Sequence, residues 1–324
     1  MQLVINSFGA YLKKKGGCFQ VKLQEERVEI PASKVDSILI TTSAMISTNA
    51  IHYAMENNID IVLLDQNGTP YARVWNARFG STTLIRRRQL EASENEIGTK
   101  MVLEWSRRKI ENQISFLNRL KRTRPEKASF FDFIIKEIEE AKTELDKESR
   151  NIGSARMKIM GIEGNASKLY WEGVSNALPE DWRFEGRSRH PSKDPFNAAL
   201  NYAYGFLYSL VEKACIIAGL DPFIGILHTD DYNKKSFVFD VIEPFRVFVD
   251  ETIVHLFTRR KMNRDYFEVF PDKVHLSKDG RALLITALNA RFDEEELYHN
   301  RKMKLRNIIQ AEMHSIANSL LKGG

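Results

Sequence analysis

The sequence predicts an α+β protein, with a small N-terminal mostly-β domain followed by a larger all-α domain. Up to about residue 80, short apolar runs alternate with Gly, Pro and charged turns, a pattern typical of strands. From about residue 85, apolar residues recur at helical spacing through long segments such as MVLEWSRRKIENQISFLNRLKR. We therefore expect domains at 1–82 and 83–324, joined by a hinge in ARFGSTT, residues 77–83.

The strands of the first domain follow from its β-rich runs, which are QLVI, CFQVKL, RVEI, VDSILI, IDIVLLD and PYARVW. STNAIHYAMENN predicts a helix capped by Ser47 or Thr48. Asn67–Gly68 predicts a tight turn before the last strand. The opening MQLVINSFGAYLKKK is interpreted as a strand and a turn, since it lacks the order of basic and apolar residues of a signal peptide.

Helices of the second domain are predicted by the spacing of apolar residues. Besides those that begin from about residue 85, we expect them near 154–175, 196–218, 236–262, 279–293 and 299–321. The segment RFEGRSRHPSKDP, residues 183–195, is too basic and too interrupted by Pro and Gly for a helix. We expect a loop there.

Composition limits the class of protein. The chain has 324 residues, of which 43% are hydrophobic and 28% charged, as in a soluble protein with a substantial core. No run approaches the roughly 18 apolar residues of a membrane span. Cys18 and Cys215 lie far apart in sequence, which argues against a disulfide framework or a cysteine zinc site. A cytoplasmic protein without a membrane is expected.

The positive charge is clustered. The net charge is +5, and basic residues gather at 86–88, 107–109, 119–124 and 259–264. A solvated helix face explains any one of these clusters. Together they favour a partner with a phosphate backbone.

FVFDVIEPFR, residues 237–246, places Asp240 and Glu243 among apolar neighbours. If the segment is helical, the two carboxylates share one face, one turn apart. Buried carboxylates require compensation by a base, by hydrogen-bond donors or by a metal ion. The simpler interpretation is that Glu243 pairs with Arg246 one turn on.

Two further segments carry candidate residues. Glu163 lies between Gly161 and Gly164 in GIEGNASKLYW. Glycines are unfavourable inside a helix, so they indicate a helix kink, close helix packing or the approach of a bulky group. His228 ends an apolar run in GILHTDDYNKKSF, a position that is also common for a structural histidine. Glu, His and Asp together form a plausible ligand set for a hard divalent cation. Carboxylates suit Mg²⁺ or Mn²⁺, and an imidazole favours Mn²⁺.

Long ordered patterns carry a resemblance to a known family. RSRHPSKDPFNAALNYAYGFLYSLVEKACIIAGLDPFIGILH, leading into SFVFDVIEPFR, resembles the CRISPR-associated Cas-one family, the integrases of CRISPR adaptation. GIEGNASKLYW resembles the glutamate motif of that family, and the resemblance spans essentially the whole chain. It implies a metal-dependent DNA endonuclease and integrase. Such an enzyme inserts short double-stranded DNA fragments into a CRISPR repeat array by transesterification, in antiviral defence.

The resemblance also implies roles for single residues. Glu163, His228 and Asp240 would be the ligands of Mg²⁺ or Mn²⁺. Glu243 would be a further catalytic acidic residue, either a ligand or a neighbour of the ligands. The remaining assignments are Asn197 and Tyr208 near the scissile phosphate, and Arg246 on a carboxylate or a phosphate.

Basic residues would bind the DNA backbone, which needs no base code. The candidates are Arg86, Arg87, Arg88, Arg183, Arg187, Arg189, Lys193 and Arg246. The family further implies a homodimer formed through the β domain and assembly with the smaller Cas-two protein.

Two alternatives remain open. A structure-specific metal-dependent nuclease would use the same ligands with water as the nucleophile and would not integrate DNA. A non-catalytic architectural DNA-binding subunit would use Glu163, Asp240 and Glu243 only in buried pairs. The first would cleave branched DNA without joining strands, and the second would bind DNA whether or not metal is present.

Overall fold

Short strands and one α-helix make up the described part of the first unit in the computed structural model, which divides into two compact units at residues 1–80 and 81–324. The structure describes residues 2–35, 37–57, 59–64, 70–74, 82–148, 152–189, 191–229, 231–232 and 234–322. The elements of the first unit are β1 (Gln2–Ile5), β2 (Tyr11–Lys15), β3 (Cys18–Leu23), β4 (Glu26–Pro31), β5 (Ser37–Ile40), β6 (Met45–Ile46), α1 (Thr48–Glu56), β7 (Asp60–Leu64) and β8 (Pro70–Val74).

These strands form two sheets. One has the order β1-β5-β7-β8, with parallel neighbours except for the antiparallel β7–β8 pair. The other has the order β4-β3-β2-β6, antiparallel except for β2–β6. Leu12, Phe19, Ile38 and Ile61 are fully buried and form the centre of this unit's core. The predicted cap of α1 is confirmed, because Ser47 Oγ accepts the Ala50 N–H at 3.2 Å.

The second unit is mainly helical. Its elements are α2 (Thr82–Ala92), α3 (Glu96–Arg122), α4 (Ala128–Leu145), α5 (Ile152–Ala177), α6 (Pro195–Ala218), α7 (Ser236–Val241), α8 (Arg246–Thr258), β9 (Phe267–Val269), β10 (Val274–Leu276), α9 (Lys278–Asp293), β11 (Glu295–Tyr298), β12 (Arg301–Lys304) and α10 (Leu305–Lys322). Asp194 caps α6 by accepting the Asn197 N–H at 2.8 Å. Gly219 ends that helix with φ at +83°, a conformation that favours glycine.

The second unit has one extensive core, to which α3, α5, α6 and α8 each contribute a buried face. The aromatic rings of Trp171, Phe184, Phe196 and Phe257 form one continuous group in this core. This packing fixes α5 and α6, the helices from which several site residues project. Within the described residues, no helix is both long and apolar enough to cross a membrane.

The predicted fold class is confirmed, with differences at particular segments. The run expected to be a turn after the first strand contains β2, because Tyr11–Lys15 pairs with β3. The helix predicted over 236–262 is broken into α7 and α8 by a 3₁₀ turn at Glu243–Phe245, since Pro244 cannot donate within a helix. The antiparallel pairs β9–β10 and β11–β12 were not predicted in the helical half. The last helix begins at Leu305 instead of residue 299.

The described residues of loop 183–194 are non-helical, as expected. Residue 190 lies outside the described residues. The predicted turn at Asn67–Gly68 lies outside the described residues, and so does most of the predicted hinge at 77–83.

Candidate functional site: a carboxylate pair, a histidine loop and a basic cavity

Two buried glutamates face one lysine in the helical unit. Glu163 projects from the middle of α5, and Glu243 opens the 3₁₀ turn after α7. Lys109 of α3 places Nζ 2.8 Å from Glu243 Oε2 and 3.6 Å from Glu163 Oε2. Burial lowers the pKa of Lys109, but the two carboxylates outweigh it and leave that pKa raised. The glutamates therefore meet around a single positive charge.

Glu243 has a second cation beside it. Arg246 Nε donates to Glu243 Oε1 at 2.9 Å, and its Nη2 donates to the Tyr208 hydroxyl at 2.9 Å. Burial by itself raises the pKa of Glu243, but Arg246 and Lys109 together lower it, so the carboxylate is ionised. The ion pair one turn apart that the sequence indicated is present. Arg246 thus orients a carboxylate, the first of the two roles considered for it.

Asp240 has a different environment. Its Oδ2 accepts the backbone N–H groups of Ile226 and Leu227 at 2.6 and 3.1 Å. Its Oδ1 accepts the His228 N–H at 3.0 Å and lies 2.6 Å from His228 Nδ1. A carboxylate oxygen is a hydrogen-bond acceptor, so in a neutral imidazole this contact selects the tautomer with the proton on Nδ1 and the lone pair on Nε2. Asp240 therefore fixes both the loop and the orientation of His228.

The loop that ends at His228 is held by residues from other helices. The Gln89 side chain of α2 donates to the Asp221 and Ile224 carbonyls at 2.8 and 3.0 Å, and accepts the Asp221 N–H at 2.9 Å. Arg156 of α5 donates to the Ile226 carbonyl at 3.0 Å. A Cβ at Gly225 would lie 2.2 Å from the His228 carbonyl oxygen, so only glycine permits this close turn.

Arg187 is the most firmly held of the basic residues that the structure describes in loop 183–194. Its Nη1 donates to Asn197 Oδ1, and its Nη2 donates to Asn201 Oδ1 at 2.8 Å. The guanidinium also lies over the rings of Trp171 and Tyr204, 5.4 and 5.7 Å from their centres. Arg187 is therefore held in one orientation by α6 and by two aromatic rings.

Asn197 and Tyr208, expected near a scissile phosphate, have different surroundings. Asn197 is fully buried, and its Nδ2 donates to the Gly186 carbonyl at 2.9 Å and to Asp194 Oδ2 at 2.6 Å. The contacts of Asn197 anchor the loop that carries Arg187. Tyr208 is half-buried and contacts Arg246.

A further buried carboxylate, Asp250, lies close to Arg246 and Arg187. Asp250 of α8 accepts the hydroxyl of Tyr204 at 2.6 Å and that of Tyr170 at 2.8 Å. Burial raises the pKa of Asp250 to about 6, although both hydroxyls and the nearby Arg246 and Arg187 act in the opposite direction. Sequence reasoning did not identify this group, because Asp250 looks like an ordinary polar residue of α8.

A cavity of about 520 Å³ is lined by some of these residues, but not by Glu163, Asp240 or His228. Glu243 and Asp250 line it, and the aromatic part of its wall is Trp171, Phe184 and Tyr204. Its basic lining residues are Lys109, Lys168, Arg187, Arg189 and Arg246. Four acidic residues also line it, which are Glu172, Glu185, Glu243 and Asp250, so the positive groups exceed the negative ones by one. This small excess favours an anionic ligand.

The other basic candidates lie on exposed surface. Arg86 pairs with Asp221 at 3.2 Å and Arg88 with Glu91 at 2.7 Å, while Arg87 is exposed. Arg183 lies 3.8 Å from Glu180, and Lys193 is exposed in loop 183–194.

The glycines around Glu163 do not mark close helix packing. Beyond the adjacent backbone of α5 itself, a Cβ built on Gly161 or Gly164 would meet no atom of the described residues within 4 Å, and α5 continues through both. Gly164 lines the cavity, so the missing side chain leaves room beside Glu163.

Not all predicted ligands are brought together. Glu163 and Glu243 share Lys109, whereas Asp240 and His228 form a separate pair, and no three Asp, Glu, His or Cys side chains of the described residues converge closely enough to hold a metal ion. In the sequence, Lys109 stands out only as part of a basic cluster at 107–109. Its helical position between the buried Trp105 and Gln113 is the signal that identifies it.

A family model and individual relatives both place this chain in the same family. The family model described as "CRISPR associated protein Cas1" matches residues 3–290. The CRISPR-associated endonuclease Cas1 1 of Archaeoglobus fulgidus is 34% identical over 322 residues, which cover 95% of this chain and 93% of the relative.

Solved structures share the fold. A casposase bound to integration product superposes with a TM-score of 0.83 at 21% identity, covering 100% of this chain and 91% of that chain. A chain of a Cas6-RT-Cas1–Cas2 complex has a TM-score of 0.78 at 19% identity, covering 100% of this chain and 35% of that chain. The chain belongs to the CRISPR-associated Cas1 (Cas-one) family.

Proposed function

We propose that the protein is a metal-dependent DNA endonuclease and integrase that inserts short double-stranded DNA fragments into a CRISPR repeat array. Its relative in Archaeoglobus fulgidus is named an endonuclease, and the casposase of similar fold was captured with an integration product. We propose that this chain has both the endonuclease and the integrase activity. Glu163 supplies the observation that supports it best.

Glu163 is 8% exposed, and its Oε1 has no hydrogen-bond partner among the described residues. A buried carboxylate with a purely structural role normally has both oxygens satisfied, because an unpaired buried acceptor is costly. A hard divalent cation binds carboxylate oxygens of this kind. Glu163 and Glu243, which already meet at one cation, therefore fit an Mg²⁺ or Mn²⁺ ion.

The ligand set that we propose differs from the one implied by the resemblance. Asp240 directs both carboxylate oxygens at backbone N–H groups and at His228, so a positioning role suits it better than ligation. Glu243 takes its place as the second carboxylate ligand. His228 is the third candidate, since the hydrogen bond at Nδ1 leaves Nε2 as a ligand or a base.

A divalent ion at this position supplies the acidity that activates a water or a 3′-hydroxyl, and the charge that stabilises the phosphate oxygens during displacement. The chain's own residues do the remaining work. Arg187 and Lys168, which line the cavity, hold the DNA phosphate, while Arg246 keeps Glu243 in place. Attack by a 3′-hydroxyl joins two strands and releases the other end of the cut strand, whereas attack by water only cleaves.

Partners are part of the same proposal. Double-stranded DNA is the substrate, and the exposed arginines of α2 and loop 183–194 extend the basic surface available to its backbone. The N-terminal β unit forms a homodimer, and a Cas-two protein completes the assembly. The second partner is supported by the complex in which a chain of the same fold occurs with Cas2.

The architectural alternative gains some support from the ion pairs at Glu163, Glu243 and Asp240, which do exist. The unpartnered Oε1 of Glu163 argues against it. A test that separates all three functions uses a labelled 3′-hydroxyl DNA fragment and a plasmid with a repeat array. It is run with Mg²⁺, with Mn²⁺ or with EDTA, and with or without the small partner.

Wild type is compared with Glu163→Gln, Glu243→Gln and His228→Ala, and with Glu172→Gln as the matched control. Glu172 is an exposed glutamate of α5 that lines the same cavity. We expect wild type and Glu172→Gln to form joined products when metal is present. Glu163→Gln, Glu243→Gln and His228→Ala should form none. If wild type cleaves DNA without joining strands, the protein is a nuclease and the integrase proposal is wrong. DNA binding without either reaction, unaffected by Glu163→Gln, would favour the architectural role.

A further inference from the structure

Lys109 occupies a position where a lysine is unusual. It lies on the buried face of α3, one turn from Trp105 on one side and from Gln113 on the other, and its side chain is only 13% exposed. A buried ammonium is stable only when it is paired with opposite charge. Lys109 obtains that charge from Glu163 and Glu243, which reach it from two other elements.

The charges at this point balance without any ion. Glu163 and Glu243 contribute two negative charges, and Lys109 and Arg246 contribute two positive ones. A divalent cation bound to the same carboxylates would place three cationic groups beside two anions. Like charges at such distances repel strongly in a site of low dielectric constant. Lys109 and the ion therefore compete for the same pair of carboxylates.

We infer that Lys109 is a displaceable counter-ion, which holds the carboxylate pair in the ion-free protein and moves into the adjoining cavity when a divalent ion binds. The inference rests on the metal dependence proposed above. Arg246 is a poor candidate for this movement, because its guanidinium is also bonded to Tyr208 and lies over the Tyr204 ring. Lys109 has a flexible four-carbon stem and already lines the 520 Å³ cavity.

The displacement has a consequence for the substrate. In the cavity the freed ammonium joins Lys168, Arg187 and Arg189, where it adds a positive charge for a DNA phosphate. Metal binding then strengthens DNA binding. By thermodynamic linkage, DNA also strengthens metal binding by the same factor. The cavity thus gains its extra positive charge only after the site is loaded with metal.

Lys109→Met tests the competition, because methionine keeps most of the side-chain length and removes the charge. We expect Mn²⁺ to bind Lys109→Met about tenfold more tightly than wild type, within the range usual for coupled sites, measured as free Mn²⁺ by electron paramagnetic resonance. Without metal, the variant should melt at a lower temperature than wild type, because its two carboxylates face each other uncompensated. Saturating Mn²⁺ should remove that difference.

Lys100→Met is the matched control, since Lys100 is an exposed lysine of the same helix α3 and does not line the cavity. Its Mn²⁺ affinity should equal that of wild type. Equal or weaker Mn²⁺ binding by Lys109→Met would overturn the inference while leaving the metal site intact. Failure of wild type to bind Mn²⁺ at all would instead overturn the proposed function.

A second measurement avoids substitution and serves if Lys109→Met does not fold. Crystal structures of wild type are determined with EDTA and with Mn²⁺. We expect Lys109 Nζ to lie within ion-pair distance of Glu243 in the first and to point into the cavity in the second. An unchanged Lys109 beside a bound ion would contradict displacement.

Discussion

His228 Nδ1 lies 2.6 Å from Asp240 Oδ1, and the same carboxylate accepts the backbone N–H groups of Ile226, Leu227 and His228. One buried side chain thus determines the course of a loop and the orientation of the imidazole at its end. Both tasks depend on a group that only accepts hydrogen bonds. Loss of charge alone should therefore disturb the loop and the histidine together.

Asp240→Asn keeps the shape of the side chain but turns one oxygen into an N–H₂ donor, which then faces backbone donors. We expect the free energy of unfolding to fall by about 2 kcal/mol or more. We also expect DNA cleavage and Mn²⁺ affinity to fall about 10- to 100-fold, as is typical when the partner of a ligating histidine is lost. Urea unfolding and Mn²⁺ titration measure the two effects.

His228→Gln provides the comparison for that variant. It leaves Asp240 and the three backbone N–H groups in place, so the free energy of unfolding should change by less than about 1 kcal/mol, while DNA cleavage is lost. An Asp240→Asn protein as stable as wild type would show that the carboxylate does not hold the loop.

Gln89 is predicted to support the same loop from a distance. Gln89→Leu preserves side-chain volume but leaves the Asp221 N–H and the Asp221 and Ile224 carbonyls without their partner. We expect about 3 kcal/mol of lost unfolding free energy, from the cost of buried unsatisfied groups, and reduced cleavage at saturating DNA. The control is Thr83→Ala, an exposed position on the same helix, which should change stability by less than about 0.5 kcal/mol.

Arg187 should contribute more to DNA binding than the exposed arginines. Its guanidinium lines the cavity and is oriented by Asn201 and by Tyr204. Arg187→Gln should weaken DNA binding and reduce the slope of log affinity against log salt by about 0.9, the effect of one lost phosphate contact.

Arg88→Gln is the matched substitution for Arg187→Gln, because Arg88 is already paired with Glu91 on exposed surface. Its salt slope should fall by less than that of Arg187→Gln, because the ion pair with Glu91 already uses the charge of Arg88. Fluorescence anisotropy over a salt series measures both variants, and equal slopes for the two would remove Arg187 from the proposed phosphate contacts.

The fold was predictable because its signals are local. Strand and helix periodicities follow from neighbouring residues, and even the cap of α1 could be identified at Ser47. Segments were mispredicted where a non-local partner decided the outcome. The basic run Tyr11–Lys15 becomes a strand because β3 pairs with it, and Arg301–Lys304 becomes one because β11 does. Pairing of this kind leaves little trace in a single strand.

The candidate site was predictable in its residue types but not in its connections. The acidic residues and His228 could be selected because they interrupt apolar segments. Glu163 and Glu243 are brought together by Lys109, which lies more than 50 residues from Glu163 in sequence. The role of Asp240 depends on backbone N–H groups, which have no sequence signature. Lys109 itself was visible only as a charged position on an otherwise buried face of α3.

Asp250 should make the stability of the protein depend on pH. Burial raises its pKa from 3.8 to about 6 in the folded state, so its protonated form is favoured on folding. The resulting stability is present below pH 4 and is lost as pH rises through 6. Asp250→Asn does not titrate and retains groups that bond to Tyr170 and Tyr204. The free energy of unfolding, measured in urea, should therefore rise for Asp250→Asn relative to wild type by about 2–3 kcal/mol between pH 4 and pH 7. Because all other titrations are common to both proteins, parallel curves would mean that Asp250 has no raised pKa.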